Sequence, residues 1–159
     1  MDTTIIEKYL RQLSTNMSGS NKLKHAGVYA SDLLPTSFPP STALVVNTMP
    51  HTDSGEHWVV FYRDEASDTI EYFDSYGQAP YPADFQKFIR RMCNRYVYNK
   101  QRLQGYITSV CGHYCLCYLY CRVHLNMSMS DFVQLFTDPE VCEVNNDLLI
   151  NVMFKSMYL

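Results

Sequence analysis

Apolar residues recur along this chain at two different periods, and the switches between them outline its elements. In residues 3–13, Ile5, Ile6, Tyr9, Leu10 and Leu13 share one side of a helical repeat, with Lys8, Arg11 and Gln12 on the other, which predicts an amphipathic helix. Ser14 to Asn21 is rich in Ser, Asn and Gly and reads as a loop. Ala43–Thr48 is almost unbroken in apolar character and predicts a strand buried on both faces. His57–Arg63 and Thr69–Asp74, full of aromatic and branched residues, predict two more strands joined by the polar turn Asp64–Asp68. Pro82 can open a helix whose stripe is Phe85, Phe88, Ile89 and Met92, and Tyr96–Tyr98 reads as a short strand. Cys115, Leu116, Tyr118 and Leu119 recur at helical spacing behind a cap at Thr108 or Ser109, which puts Cys111 in the first turn of a buried helix. A short helix from Asp131 to Phe136, started by Ser130 and Asp131, and a final one over Asn146–Met157, with Leu149, Ile150, Met153 and Phe154 inside, complete the pattern. The mixture predicts an α+β fold: a small mixed sheet of the three longer strands, helices around it, and the Cys111 helix through the middle.

The hairpin permits a sharper expectation. If Arg63 faces Asp68 across a four-residue loop, His57 lies directly opposite Asp74 on one sheet face. A carboxylate there fixes the imidazole tautomer and stabilises the imidazolium. A one-residue slip would separate the two, and a surface ion pair is the competing reading.

Cys111 heads its helix, where unpaired amides and the helix dipole favour a thiolate. Gly112 leaves room for whatever approaches the sulfur. Such a position suits a nucleophile. Two other readings compete with it: ordinary core packing, and a metal site built from Cys111, His113, Cys115, Cys117 and Cys121. Helix geometry opposes the metal, because at about 100° per residue Cys117 and Cys121 point away from Cys111. His113 is turned about 200° from Cys111, and His25, His51 and His124 have no acidic partner at a telling spacing.

Composition narrows the setting. A chain of 159 residues, 47% of them apolar, suits one globular domain over residues 1–159. No apolar run is long enough for a membrane span, which predicts no membrane partner. Six cysteines without a secretory signal predict a reducing, intracellular compartment. A net charge of −3 provides no general attraction to nucleic acid.

A cysteine nucleophile needs a base, an orienting acid and an oxyanion hole. His57, Asp74, the Cys111 backbone N–H and the Gln104 side-chain amide, on a Gly-containing loop, can fill these roles, with Trp58 walling the cleft. The ordered segments Ala43–Thr48, Gly55-Glu-His-Trp58, Tyr72-Phe-Asp-Ser-Tyr-Gly77 and Gln104-Gly-Tyr-Ile-Thr-Ser-Val-Cys-Gly112 resemble the adenovirus-type cysteine proteases, the adenains. More distantly they resemble the SUMO and ubiquitin-like-protein proteases of the same clan. The resemblance implies an adenain-like fold and places the base on His57, the acid on Asp74, the oxyanion amide on Gln104 and the nucleophile on Cys111, with Gly55 and Trp58 at the substrate. Adenains typically carry Glu where this chain has Asp74, as the SUMO-type enzymes do, and the chain is shorter than theirs towards the C-terminus.

The function so implied is a viral or virus-like cysteine endopeptidase that cleaves capsid and core precursors, in the host nucleus or the virion, without metal or small-molecule cofactor. A protease that removes ubiquitin-like modifiers and a catalytically inactive binding module are the alternatives. Lys87, Arg90, Arg91, Arg95, Lys100 and Arg102 are six of the chain's 13 basic residues and lie in one stretch without an acidic residue. That stretch is either a solvated face or, since adenains are stimulated by polyanions, a weak DNA-binding segment. Cys93 lies upstream of Gln104 much as the adenain cysteine that bonds an activating peptide does, although the Phe88–Met92 stripe can equally bury it.

Overall fold

The computed structural model describes residues 1–15, 23–93, 95–136 and 139–158, with the side chains of 139–144 left out of the description. Helix α1 spans Thr3–Thr15, and most of the predicted Ser14–Asn21 loop lies outside the described residues. Strands β1 (His25–Ala30), β2 (Thr42–Asn47), β3 (Trp58–Arg63), β4 (Ile70–Phe73) and β5 (Tyr96–Tyr98) form one sheet in sequential order. The central pairs are antiparallel, and β1 and β5 join the edges in parallel. The sheet is thus two strands wider than the predicted three-strand core. His25–Ala30 has no apolar alternation to announce it and gains its place by pairing with β2.

Alternation along the strands builds two cores. Ala43, Val45, Val60, Tyr62 and Phe73 face one side, which is covered by α1, α3 (Cys111–His124), α4 (Met129–Gln134) and α5 (Pro139–Tyr158). Leu44, Val46, Val59, Phe61, Ile70 and Tyr72 face the other, covered by α2 (Ala83–Met92) with Phe85, Phe88 and Ile89. β2 is buried at every residue, which explains its unbroken apolar run. Among the described residues no helix is long and apolar enough to cross a membrane.

Helix α3 is buried nearly all round, between β3 and the helices α1, α4 and α5. Its far end is bolted to β4: buried Arg122 donates from Nε and Nη2 to the two oxygens of Glu71, each at 2.8 Å, and Tyr118 hydroxyl donates to the same carboxylate. Satisfying both oxygens with a planar guanidinium is what makes a buried pair tolerable. With that end pinned, the start of α3 falls at the edge formed by the start of β3 and the end of β4.

Three expectations change. The cap of α4 is Ser128, which forms a reciprocal capping box with Asp131, so the helix begins before the predicted Ser130–Asp131 start. Helix α5 begins at Pro139, ahead of the predicted Asn146. On α5, Ile150 and Phe154 are buried as expected, but Leu149 is 39% exposed.

Candidate active site

His57 immediately precedes β3 and Asp74 immediately follows β4. The observed register sets Val60 against Phe73, two residues away from the predicted one. The connection is longer than a four-residue loop because its own side chains cap successive turns: Asp64 Oδ1 accepts Ala66 N–H and Ser67 Oγ accepts Thr69 N–H, each at 3.1 Å. His57 is therefore not directly opposite Asp74, and that expectation is corrected. A two-residue shift preserves the sheet face, so the two remain diagonal neighbours within reach of each other. His57 Nε2 and Asp74 Oδ1 are 2.7 Å apart.

Asp74 is fully buried, and its Oδ1 also accepts the N–H of Tyr76 at 2.8 Å. Its backbone is held by Asn99, a buried residue that sequence reading overlooked. Asn99 Oδ1 accepts Asp74 N–H at 2.9 Å and Asn99 Nδ2 donates to Asp74 O at 2.6 Å. Both peptide groups at the end of β4 are satisfied by one amide, a role no spacing rule reveals.

Cys111 is the first residue of α3. The N-cap is Val110, without a side-chain cap, in place of the expected Thr108 or Ser109. The Thr108 hydroxyl is turned instead to Asp147 on α5. Burial pushes the Cys111 thiol up, but hydrogen bonding and charge from His57, with backbone N–H groups of Trp58 and Gly112, bring it below the ordinary thiol range. For His57, burial works against the charged form, yet Asp74 and then Cys111 raise it to about 9. Since Nε2 serves Asp74, Nδ1 is the ring nitrogen left for another partner. Each group thus shifts the other towards its charged form. The other described cysteines of α3 show the contrast: burial holds Cys115 and Cys117 well above the ordinary thiol value and pushes Cys121 up to about 11. Gly112 accommodates the Met1 side chain, whose atoms would lie 3.1 and 3.2 Å from an added Cβ, so its absent side chain makes room for the N-terminal segment.

Gln104 is buried in the loop before α3. Its Oε1 accepts Ser75 Oγ–H at 2.7 Å, and its Nε2 donates to Thr108 O at 2.8 Å, with Tyr76 hydroxyl at 3.4 Å. Ser75 O also accepts Leu103 N–H and Gln104 N–H. The amide orientation is therefore dictated from both ends. Helix α5 anchors the loop from behind: buried Asp147 accepts Gly105 N–H at 3.2 Å, Thr108 hydroxyl at 2.8 Å and Tyr114 hydroxyl at 3.1 Å. Asn146 Nδ2 donates to Leu103 O at 3.2 Å.

Trp58 lines a cavity of about 620 Å³ with Met1, Asn47, His51 and Gly55. Its indole N–H donates to Met1 O at 3.0 Å. A Cβ on Gly55 would come within 2.6 Å of Asn47 Nδ2, so the loop passes Asn47 there without room for a side chain. Cys93 ends α2, half-buried, with its thiol donating to Arg95 O at 3.1 Å. The basic residues lie on α2 (Lys87, Arg90, Arg91), just before β5 (Arg95) and in the loop after it (Lys100, Arg102); Lys87 pairs with Asp84 and Arg91 donates to Pro35 O. His51, expected to lack an acidic partner, lies 2.6 Å from Asp32 in an exposed pair. His113 packs its ring against Phe154. Among the described residues no cluster of three or more His, Cys, Asp or Glu is placed to hold a metal.

A model of the adenovirus endoprotease family matches residues 36–149, a span that contains Gly55, His57, Trp58, Asp74, Cys93, Gln104 and Cys111. Comparison with curated protein sequences returns no match. Among solved structures, the selenomethionine form of the ASFV pS273R protease is 27% identical, with a TM-score of 0.50 over 66% of this chain. The present chain covers 42% of that protein's length. The SUMO protease Ulp1 aligns with 100% of this chain and 79% of its own at 14% identity and a TM-score of 0.50, a likeness of fold. With the family match extending over more than half of its residues, the chain belongs to the adenovirus endoprotease family.

Proposed function

We propose that the chain is a cysteine endopeptidase with Cys111 as nucleophile, His57 as acid and base, Asp74 as orienting carboxylate and Gln104 as oxyanion donor. The observation that carries this reading is the buried 2.7 Å His57–Asp74 hydrogen bond beside Cys111, with the His57 imidazole raised by Asp74 and Cys111 and the Cys111 thiol lowered by His57. The thiolate attacks a peptide carbonyl carbon, and the carbonyl π pair moves onto oxygen, towards the Gln104 amide and the Cys111 N–H. As the C–N bond breaks, His57 delivers its proton to the departing amine and a thioester remains. His57 then takes a proton from water, the hydroxide adds to the thioester, and the carboxylic acid leaves as the thiolate re-forms.

Membership of the adenovirus endoprotease family and 27% identity to a viral protease favour a viral or virus-like setting, with capsid or core precursors as substrates inside an infected cell or virion. Within this reading a peptide bonded through Cys93, or a polyanion on the Lys87–Arg102 stretch, acts as activator. Cleavage of a Gly-containing precursor peptide beside a SUMO or ubiquitin-like fusion tests the proposal. Precursor cleavage abolished by Cys111→Ala is the expected result. Cleavage of the fusion alone would make this a deconjugating enzyme, and no cleavage of either, with an unreactive Cys111, a binding module.

A further inference from the structure

The turn that follows β4 brings one residue into contact with His57, Asp74 and Gln104. Gly77 N–H donates to Asp74 O at 2.8 Å, closing a four-residue turn with Ser75 and Tyr76 at its centre. Tyr76 donates its N–H to Asp74 Oδ1, stacks its ring on the His57 imidazole at 4.6 Å and 29°, and accepts at its hydroxyl from Gln104 Nε2 at 3.4 Å. The stack continues outward: Tyr106 lies 6.3 Å from Tyr76 at 21°, and the Arg102 guanidinium sits 3.9 Å from the Tyr106 ring centre. Tyr76 is half-buried and belongs to neither hydrophobic core, so these contacts are not part of what holds the sheet and helices together.

We infer that Tyr76 is a positioning residue that couples the two halves of the catalytic machinery, its ring fixing the plane of the His57 imidazolium and its hydroxyl holding the second Gln104 N–H towards the cleft. The inference rests on the proposed peptidase reading. A π-face over an imidazolium favours the protonated ring. One Gln104 N–H is committed to Thr108 O, and the longer bond to Tyr76 is the one that an oxyanion can take over without disturbing the loop. The titratable and charged groups around the stack are Cys111 at the head of α3, Asp74 after β4, Asp147 on α5 and Arg102 before Gln104. Ring removal leaves all four in place.

The test compares Tyr76→Phe with Tyr76→Leu in the full chain. Alkylation of Cys111 by iodoacetate is followed against pH, since the reagent's carboxylate senses the imidazolium and its rate falls when His57 loses its proton. Turnover is followed on whichever substrate the wild type cleaves, and melting temperature is recorded for both variants. Tyr76→Leu is expected to move the alkaline limb of alkylation down by about half to one pH unit and to lower kcat about 10- to 100-fold, with KM within about twofold. Tyr76→Phe keeps the ring and therefore the limb, and loses about 3- to 10-fold in kcat. An unmoved limb in Tyr76→Leu, or wild-type kcat in Tyr76→Phe, overturns the coupling while leaving the peptidase reading intact. A wild-type Cys111 that iodoacetate does not prefer overturns both.

Discussion

Replacing Asp147 should damage turnover from a position that never meets the substrate. Its carboxylate accepts Gly105 N–H, Thr108 hydroxyl and Tyr114 hydroxyl and so ties α5 to the loop that carries Gln104. Hydrogen bonds to a charged group contribute about 1.5–3 kcal/mol each, but the sum of three is not the cost of losing them. In Asp147→Ala, Thr108 hydroxyl keeps Gly105 O at 3.1 Å and Tyr114 hydroxyl keeps Leu103 O at 3.2 Å. The buried Gly105 N–H is the group left without this acceptor. The expected destabilisation is about 2–4 kcal/mol, one orphaned amide plus two weakened anchors. Asp147→Asn should cost about 1 kcal/mol, because its amide oxygen can serve Gly105 and Thr108 while its nitrogen donates to Tyr114. Denaturant unfolding measures both values. Loss of one oxyanion donor costs about 10²–10³ in kcat, which sets a ceiling; with Gln104 loosened, kcat should fall about 10- to 100-fold in the Ala variant and under about fivefold in the Asn variant. Wild-type kcat in Asp147→Ala would refute the claim that α5 holds the oxyanion loop in its working geometry.

Other outcomes follow from the same contacts. Activity against pH should be bell-shaped: turnover needs Cys111 without its proton and His57 with one, so the acid limb lies below the ordinary thiol range and the alkaline limb near about 9, and Asp74→Asn should pull the alkaline limb down. Gly77→Ala should destabilise the fold by at least about 2 kcal/mol, read as a lower melting temperature, since φ is +69° and the new Cβ would lie 2.6–2.8 Å from backbone atoms of Gln101 and Arg102. A DNA titration should show weak, sequence-independent binding that falls steeply with salt and is lost when Lys87, Arg90 and Arg91 are neutralised together; no binding at low ionic strength would remove the polyanion proposal.

The elements that the sequence announced most clearly are those with a strong period or a long apolar run. β2 and the stripe of α2 could be read because burial on two faces, or on one, leaves its mark residue by residue. The hairpin register could not, because it depends on how Asp64 and Ser67 cap the turns between β3 and β4. The His57–Asp74 pair survived that error only because the shift was an even number of residues. The roles of Asn99 and Asp147, and those of Ser75 and Tyr76 within a segment that the family resemblance singles out, remained unread for a common reason. Each residue acts through contacts made across the fold, from positions whose residue type has no unusual local meaning. The N-cap of α3 shows the converse: Thr108 has the right chemistry for a cap, but tertiary structure turns it towards Asp147.

The central claim is that Cys111 is an activated nucleophile, and limiting iodoacetamide at mildly acidic pH, followed by peptide mapping, tests it most directly. Exposure alone favours Cys93, which is half-buried, over Cys111, which is 8% exposed. The account predicts that Cys111 is alkylated first, that His57→Ala abolishes the preference, and that Cys115 and Cys117 stay unmodified in the folded protein. Labelling led by Cys93, or a Cys111 rate indifferent to His57→Ala, would contradict it.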